Sequence, residues 1–196
     1  MPGYSVIADT TETILKALND ALQPLDTPPP VAVVKDFSGP ISTSPASLIL
    51  YLYEIIQDPV TRNRPMIRTD VVDAVELRKP PLPLTLRYML TAFAGDRLTE
   101  QRILARAMQS LYDHPMRLGP DLQGDPAPIG LVGSNVILRT HLSMLTLEEK
   151  TRIWYAIQQP YRLCVVYEVR LVEVDAEEIV RVGTVRSRLL DMAVPA

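Results

Sequence analysis

Residues 80–92 run Pro80-Pro-Leu-Pro-Leu-Thr-Leu-Arg-Tyr-Met-Leu-Thr-Ala92, and from position 84 onward apolar and polar side chains alternate. The apolar positions on one side are Leu84, Leu86, Tyr88, Leu90 and Ala92. A period of two is typical of a β-strand with one face buried in the core. The proline run before the segment and Gly95-Asp96 after it limit its extent. The sequence therefore predicts a half-buried strand over residues 84–92.

Strand character recurs on both sides of this segment. Residues 47–56 are apolar on both faces, as expected of a central strand that is covered on both sides. Residues 163–171 alternate again, with Arg162, Glu168 and Arg170 between the apolar positions. Three shorter segments complete the predicted strands: residues 31–34, 135–142 and 179–185.

Helical periodicity appears in three segments, which are residues 5–22, 99–112 and 146–157. Proline ends the first helix at Pro24 and the second at Pro115, because proline has no N–H to donate. Thr146 and Glu149 have the spacing of a capping box, which predicts the start of the third helix. Residues 115–133 are rich in glycine and proline and are predicted to form a long, functional or mobile loop.

Strands separated by helices indicate an α/β or α+β fold, with a mixed β-sheet covered by two or three helices. The 196 residues suffice for one domain, which we place at residues 1–175, followed by a C-terminal strand or arm at 176–196. Proline accounts for 18 residues, about twice the average share, and lies in clusters that form stiff connections between elements.

Composition argues against several classes of function. The formal charge is −3 and no long run of basic residues occurs, so nucleic-acid binding is disfavoured. No apolar stretch approaches the ~20 residues that span a membrane, and the N-terminus does not have the pattern of a signal peptide, so we expect cytoplasmic synthesis without membrane association. Cys164, in an apolar run, is predicted to be a buried thiol.

Catalytic signals are weak. Ser110 or Ser134 with His114 and Asp113 are the best available set, but no nucleophile-elbow motif accompanies them. A helix C-terminal cap is the better interpretation of Asp113-His114-Pro115. Residues 130–135 lack the lysine of a phosphate-binding loop and lead into a strand. We predict no catalytic residue, no metal site and no cofactor.

Protein contacts are the more promising chemistry. Arg62-Asn63-Arg64-Pro65, followed by Arg68, places guanidinium groups on a stiff loop where they could clamp carboxylates of a partner. A solvated loop is an equally good interpretation. Tyr88 and Tyr161 are candidate interface anchors, although strand tyrosines more often belong to the core. Pro81 and Pro83 complete the candidate interface, as stiff residues next to a sheet edge.

Five segments in order resemble the cap proteins of extracellular contractile injection systems, which are phage-tail-like particles. The segments are Tyr4-Ser-Val-Ile-Ala-Asp-Thr-Thr-Glu-Thr13; Leu50-Tyr-Leu-Tyr53 with Arg62-Asn-Arg-Pro65; residues 80–92; Arg106-Ala-Met-Gln-Ser-Leu-Tyr-Asp-His-Pro115; and Pro160-Tyr-Arg-Leu-Cys-Val-Val-Tyr-Glu-Val-Arg170. The resemblance covers about residues 4–174 and does not extend to residues 175–196.

The resemblance implies a tail-terminator-like fold and a structural cap without catalysis. It implies a homo-oligomer, a hexameric ring that binds the inner tube and the sheath and limits their length. The chain would be made in the cytoplasm and then become part of the particle. A monomeric adaptor module is the alternative, and an enzyme built on Asp113 and His114 ranks third.

Overall fold

The computed structural model describes residues 3–71 and 74–183. Its helices are α1 (Val6–Leu22), α2 (Arg97–Asp113) and α3 (Leu147–Ala156), with a 3₁₀ turn at Gly119–Asp121. The strands are β1 (Val31–Val34), β2 (Ser47–Gln57), β3 (Ile67–Val71), β4 (Ala74–Arg78), β5 (Leu82–Phe93), β6 (Met116–Leu118), β7 (Ile137–Leu142), β8 (Cys164–Val174) and β9 (Ile179–Gly183).

Two sheets organise these strands. The larger is a six-stranded mixed sheet in the order β1-β2-β5-β8-β7-β6, in which only the β1–β2 pair is parallel among the described residues. The smaller is a three-stranded antiparallel sheet in the order β3-β4-β9. In the chain β4 directly precedes β5 and β9 directly follows β8, so the smaller sheet adjoins the larger one at the end where Leu82 of β5 pairs with Val174 of β8.

Helices cover both faces of the six-stranded sheet. On one face, α1 and α2 bury Leu18, Leu22, Leu104 and Leu111 against β2, β5 and β8. On the other face, Trp154 of α3 forms the centre of a smaller core, in which its ring lies 5.2 Å from that of Phe37. Strand β5 serves both cores, because Leu86, Tyr88 and Leu90 face one and Met89 faces the other.

The predicted fold class is confirmed as a mixed sheet with three helices in the described residues. The capping box at α3 is present, with Thr146 Oγ1 accepting from the Glu149 N–H at 3.2 Å and Glu149 Oε2 accepting from the Thr146 N–H at 2.7 Å. The strand predicted at 179–185 is present over Ile179–Gly183. Residues 184–196, most of the predicted arm 176–196, lie outside the described residues.

The β3–β4 hairpin and the short strand β6 were not predicted from the sequence. All five residues of β3 are exposed, so no burial-driven alternation marks this strand in the sequence. Strand β6 has three residues, too few to show a period of two.

The long loop after β6 is held against the N-terminal half of α1. Asp9 Oδ2 accepts hydrogen bonds from the Leu131 N–H at 2.9 Å and from Ser5 Oγ at 3.1 Å. Thr13 Oγ1 accepts from the Gln123 N–H at 3.0 Å. Because Asp9 and Thr13 are buried, these bonds fix the loop as part of the core structure.

Candidate protein-interaction surface

The β3-β4-β9 sheet, termed the distal sheet, has little internal cover within the described chain. Each of the five residues of β3 and each of the five of β9 is exposed. None of the substantial contacts between elements joins this sheet to a helix of the described chain. A small sheet is stable when a hydrophobic face is packed against something, so the distal sheet is suited to receiving a partner.

Apolar side chains are spread over both faces of the distal sheet. Cross-strand register places Leu77 beside Val180 and Val75 beside Val182 on one face. On the other face, Ile67 and Ile179 flank Arg78. The exposed fractions are 42% for Ile67, 42% for Ile179, 43% for Val180 and 48% for Val182. These side chains gain burial only if another surface covers them.

Ion pairs brace the junction between the two sheets. Arg64 Nη1 lies 2.6 Å from Glu173 Oε1, and Lys79 Nζ lies 3.0 Å from Glu178 Oε2. Arg78 contacts Asp175 at a longer distance of 3.5 Å. Each ion pair is partly or fully solvated and therefore adds at most about 1 kcal/mol to the free energy of unfolding. Their main effect is to hold the chain segments at the junction next to each other.

The arginine loop lies in the turn between β2 and β3. Asp58 shapes this turn, because its carboxylate accepts from the Val60 N–H at 3.0 Å and from Thr61 Oγ1 at 2.9 Å. Residues 62–65 and Arg68 are all exposed. Arg64 is already paired with Glu173 and Arg68 with Asp70, at 3.0 Å, whereas Arg62 has no ion pair within the described residues. The loop therefore adjoins the distal sheet and offers one unpaired guanidinium.

Three of the other predicted interface residues have different roles. Tyr88 is fully buried and its hydroxyl lies 2.8 Å from Thr11 Oγ1, so it is a core residue with no surface for a partner. Pro81 and Pro83 are buried at the junction, where Pro83 pairs with Glu173 across β5 and β8 and its carbonyl accepts from the Asp58 N–H. These prolines shape the junction and do not form an exposed docking surface.

Tyr161 lies near the opposite end of β8 from the arginine loop. It is 45% exposed, and its ring packs edge-on to Trp154 at 6.5 Å. The predicted interface residues thus do not form one patch, because Arg62 to Arg68 lie at the junction while Tyr161 lies beyond the start of β8.

A charged row crosses the part of the sheet that α3 leaves open. Arg87 bonds to Glu54 at 2.8 Å and to Glu168 at 3.1 Å, and Arg170 bonds to Glu168 at 3.0 Å. Burial opposes ionisation of Glu168, but the hydrogen bond from Arg170 and the charge of Arg87 hold the pKa of this carboxyl below its ordinary value. The row is internally compensated, so it stabilises the sheet and leaves little net charge for a ligand.

No side-chain hydrogen bond joins the catalytic candidates Ser110, Ser134, Asp113 and His114 within the described residues. Within the described residues, His114 contacts Ser110 through a backbone hydrogen bond that caps helix α2, from the His114 N–H to the Ser110 carbonyl. The His114 side chain is exposed. Burial raises the pKa of the Cys164 thiol, and Trp154 Nε1 donates to its sulfur at 3.3 Å, so this thiol is a packing group. The described part of the chain contains no group of three potential metal ligands. None of its helices is long and apolar enough to cross a membrane.

Residues 9–188 match the sequence model described as the Pvc16 N-terminal domain. The chain belongs to the Pvc16 N-terminal domain family. This membership confirms the resemblance predicted from the five ordered segments. Comparison with curated protein sequences finds no significant match.

Comparison with solved structures shows a shared fold. The chain is similar over 100% of its length to a sheath/tube terminator of the PVC extracellular contractile injection system in the extended state, with a TM-score of 0.58 and 17% identity. It is also similar over 91% of its length to the tube-terminating cap of the anti-feeding prophage, with a TM-score of 0.53 and 19% identity. The chain spans 66% and 59% of the lengths of these two proteins. The likeness therefore shows that this chain has the fold of those terminator proteins.

Proposed function

We propose that this chain is a structural cap that closes the tube and sheath of a contractile injection particle. The observation that carries the proposal is its membership of the Pvc16 N-terminal domain family together with a terminator-like fold over the whole chain. The proposed partners are the inner tube protein, the sheath protein and other copies of the chain. The proposed location is the cytoplasm during synthesis and the end of the particle after assembly.

A cap solves a physical problem of stacked assemblies. Subunits that add head to tail leave one layer of unsatisfied contact surface, so growth continues until a different subunit covers it. A closed ring whose lower face matches that layer and whose upper face differs from it covers the layer and presents no surface on which another subunit can stack. We propose a hexameric ring, with the arginine loop at residues 62–65 and Arg68 contributing to contacts with neighbouring subunits.

The cap function requires no catalysis, and we propose none. The described residues carry dispersed serines and histidines, a buried thiol and internally paired charges, and these features are consistent with a protein that binds other proteins.

Immunogold labelling of particles tests the proposed location. An epitope tag is added to the chain, and purified particles from the producing cells are examined by electron microscopy. We expect label at one end of each particle, opposite the baseplate. Label along the shaft, or particles without label, would contradict the proposal. An untagged strain gives the background.

Light scattering separates the cap from the monomeric adaptor alternative. A cap is expected to form a multimer of the 21.9 kDa chain, either alone or after addition of tube protein. A mass of 21.9 kDa at every concentration, with tube protein present, favours the adaptor.

A further inference from the structure

One long edge of the six-stranded sheet is closed by a side chain. Strand β1 forms this edge, and the backbone groups of Ala32 point away from β2 toward α1. Asn19 Oδ1 accepts from the Ala32 N–H at 2.8 Å, and Asn19 Nδ2 donates to the Ala32 carbonyl at 3.1 Å. The amide thus occupies the position that another strand would take, which is a known way of preventing unwanted strand pairing.

The opposite edge of the six-stranded sheet is strand β6. Its three residues give an added strand little to pair with. Both edges of the larger sheet are therefore poor templates for another chain.

The edges of the distal sheet have no such protection. Strands β3 and β9 form its two edges, have five residues each, and contain neither lysine nor proline. Within the described residues, no backbone hydrogen bond outside the β3-β4-β9 ladder reaches either strand. Exposed edges of this length and apolar content are templates for strand addition.

The charges on these edges are compensated. Arg68 pairs with Asp70 on β3 at 3.0 Å, and Arg181 of β9 pairs with Glu76 of β4 at 2.7 Å. Neither edge therefore presents a net charge that would repel another copy of the chain. Ile67 of β3, Arg78 of β4 and Ile179 of β9 lie side by side across the three strands, with the two isoleucines at the outer positions. If the β9 edge of one copy meets the β3 edge of another copy in this register, Ile179 of the first lies beside Ile67 of the second.

The two edges are also unlike and run in the same direction, because β3 and β9 are both antiparallel to β4. A copy that uses β9 to contact β3 of its neighbour leaves its own β3 free for the next copy. Such a contact is head to tail, and it closes into a ring when the rotation per subunit divides a full turn.

We propose that β9 of one copy pairs in parallel with β3 of the next copy, so that the distal sheets form the subunit interface of the ring. This inference rests on the proposed ring-shaped cap, and it names the contact that holds the ring together. The occupant of each open edge is a second copy of this chain. Pairing of an edge with residues 184–196 of the same chain, or with a strand of another protein, is an opposing outcome that the test below detects.

Engineered disulfides test the pairing directly. Thr69→Cys is combined in turn with Ile179→Cys, Arg181→Cys and Gly183→Cys, three β9 positions on the same face of the sheet. Strand β4 lies between positions 69 and 181 in one chain, which separates their Cα atoms by roughly 9–10 Å. A disulfide needs Cα atoms within about 7 Å. A bond between positions 69 and 181 must therefore join two copies.

Mild oxidation followed by non-reducing electrophoresis gives the result. We expect at least one double variant to form a ladder of dimers, trimers and larger species, while each single variant stops at the dimer. Monomers in all three double variants, or products that stop at the dimer, would overturn the inference. The unmodified chain, whose Cys164 is buried, is the background control.

A charge substitution provides an independent readout. Val180→Lys with Val182→Lys places two cations on the β9 edge at positions that are already exposed in the single chain. Leu142→Lys, at a site with 51% exposure on β7, is the matched control. Under the conditions in which the unmodified chain forms a multimer, we expect the β9 variant to fall to the mass of one chain with an unchanged far-ultraviolet circular dichroism spectrum, while the control keeps the mass of the multimer. An unchanged mass for the β9 variant contradicts the inference.

The inference and the proposed function fail in different ways. If the tagged chain labels particle ends but no ladder forms, the cap function stands and the edge pairing is wrong. If particle ends carry no label, the cap function is wrong, whatever the cross-links show.

Discussion

At the residue scale, Asp9 illustrates how one buried side chain organises a distant segment. Asp9 carries a carboxylate on helix α1, yet it is only 3% exposed and accepts a hydrogen bond from the Leu131 N–H. This role was not predictable, because the partner lies 122 residues away and is a backbone group that no motif marks. Gly124 and Gly130 allow the approach, since a Cβ at either position would overlap the Asp9 carboxylate.

Gly130→Ala tests this packing. An added Cβ would collide with the Asp9 carboxylate and with the Asp125 carbonyl oxygen, so we expect a loss of about 3 kcal/mol of unfolding free energy. Gly39→Ala is the matched control, because nothing lies within 4 Å of its added Cβ, and we expect a change within about 0.5 kcal/mol. Urea denaturation measures both variants. Equal stability of the two variants would show that the loop is not packed as described.

Tyr53 and Tyr88 make a second residue-scale comparison. The Tyr53 hydroxyl is buried without a hydrogen-bond partner in the described residues, whereas the Tyr88 hydroxyl bonds to Thr11. Tyr53→Phe should therefore cost no stability and could add up to about 1 kcal/mol, while Tyr88→Phe should cost about 1 kcal/mol. Thermal unfolding of the two variants measures the difference, and a larger loss for Tyr53→Phe would contradict the assignment.

Burial of Tyr53 also predicts a dependence on pH. Burial raises the pKa of Tyr53 to about 12, partly offset by the charge of Arg87. Between about pH 10 and about pH 12 the unfolded chain loses this proton while the folded chain keeps it. The free energy of unfolding is therefore unaffected by ionisation of Tyr53 below about pH 10 and falls as the pH rises toward about 12. Denaturation midpoints measured over this range should fall less steeply in Tyr53→Phe. Parallel curves would contradict the prediction.

At the element scale, the periodic segments were predictable and the isolated ones were not. The alternation at 84–92 predicted strand β5, and the Thr146–Glu149 capping box predicted helix α3. The prediction of a half-buried β5 was wrong in one respect, because α3 and its core cover the second face of the strand as well. Strand β3 is exposed along its length, so burial leaves no pattern in its sequence, whereas β9 was predicted although it is equally exposed. The pair of hydrogen bonds between the Asn19 side chain and the Ala32 backbone, termed the clamp, could not be predicted either, because an asparagine in a helical segment does not indicate which strand it contacts.

Asn19→Ala tests the clamp on the edge of β1. Loss of the amide leaves the Ala32 N–H and carbonyl without partners at a partly buried site, so we expect a loss of about 1–3 kcal/mol. Asn63→Ala, in the exposed arginine loop, is the matched control and should change stability by less than about 0.5 kcal/mol. Chemical denaturation compares them, and similar small effects would show that the clamp contributes nothing.

At the scale of the whole molecule, the family and fold class were accessible from sequence because ordered segments and burial patterns reflect the core. The interface residues were harder to predict. Arg62 and Arg64 are exposed beside the distal sheet, and their contact role stays a prediction, whereas Tyr88 is buried in the core. Alternation cannot distinguish a tyrosine that faces a helix of its own chain from one that faces a partner.

Alanine at both Arg62 and Arg64 tests the arginine loop as a subunit contact. We expect a lower average mass in light scattering, because the unpaired guanidinium of Arg62 and the loop position set by Arg64 are both lost. Arg102→Ala with Arg152→Ala, two exposed helix positions, is the matched control and should leave the mass unchanged. Equal masses for the two double variants, with normal particle length, would exclude the loop from the interface.

The most direct test of the cap function is the length distribution of particles made without this chain. Electron microscopy of particles from a deletion strain, compared with the same strain carrying the intact coding sequence, provides the measurement. The proposed cap predicts tubes and sheaths of abnormal and widely varying length that return to one length on complementation. Particles of uniform, normal length in the deletion strain would contradict it.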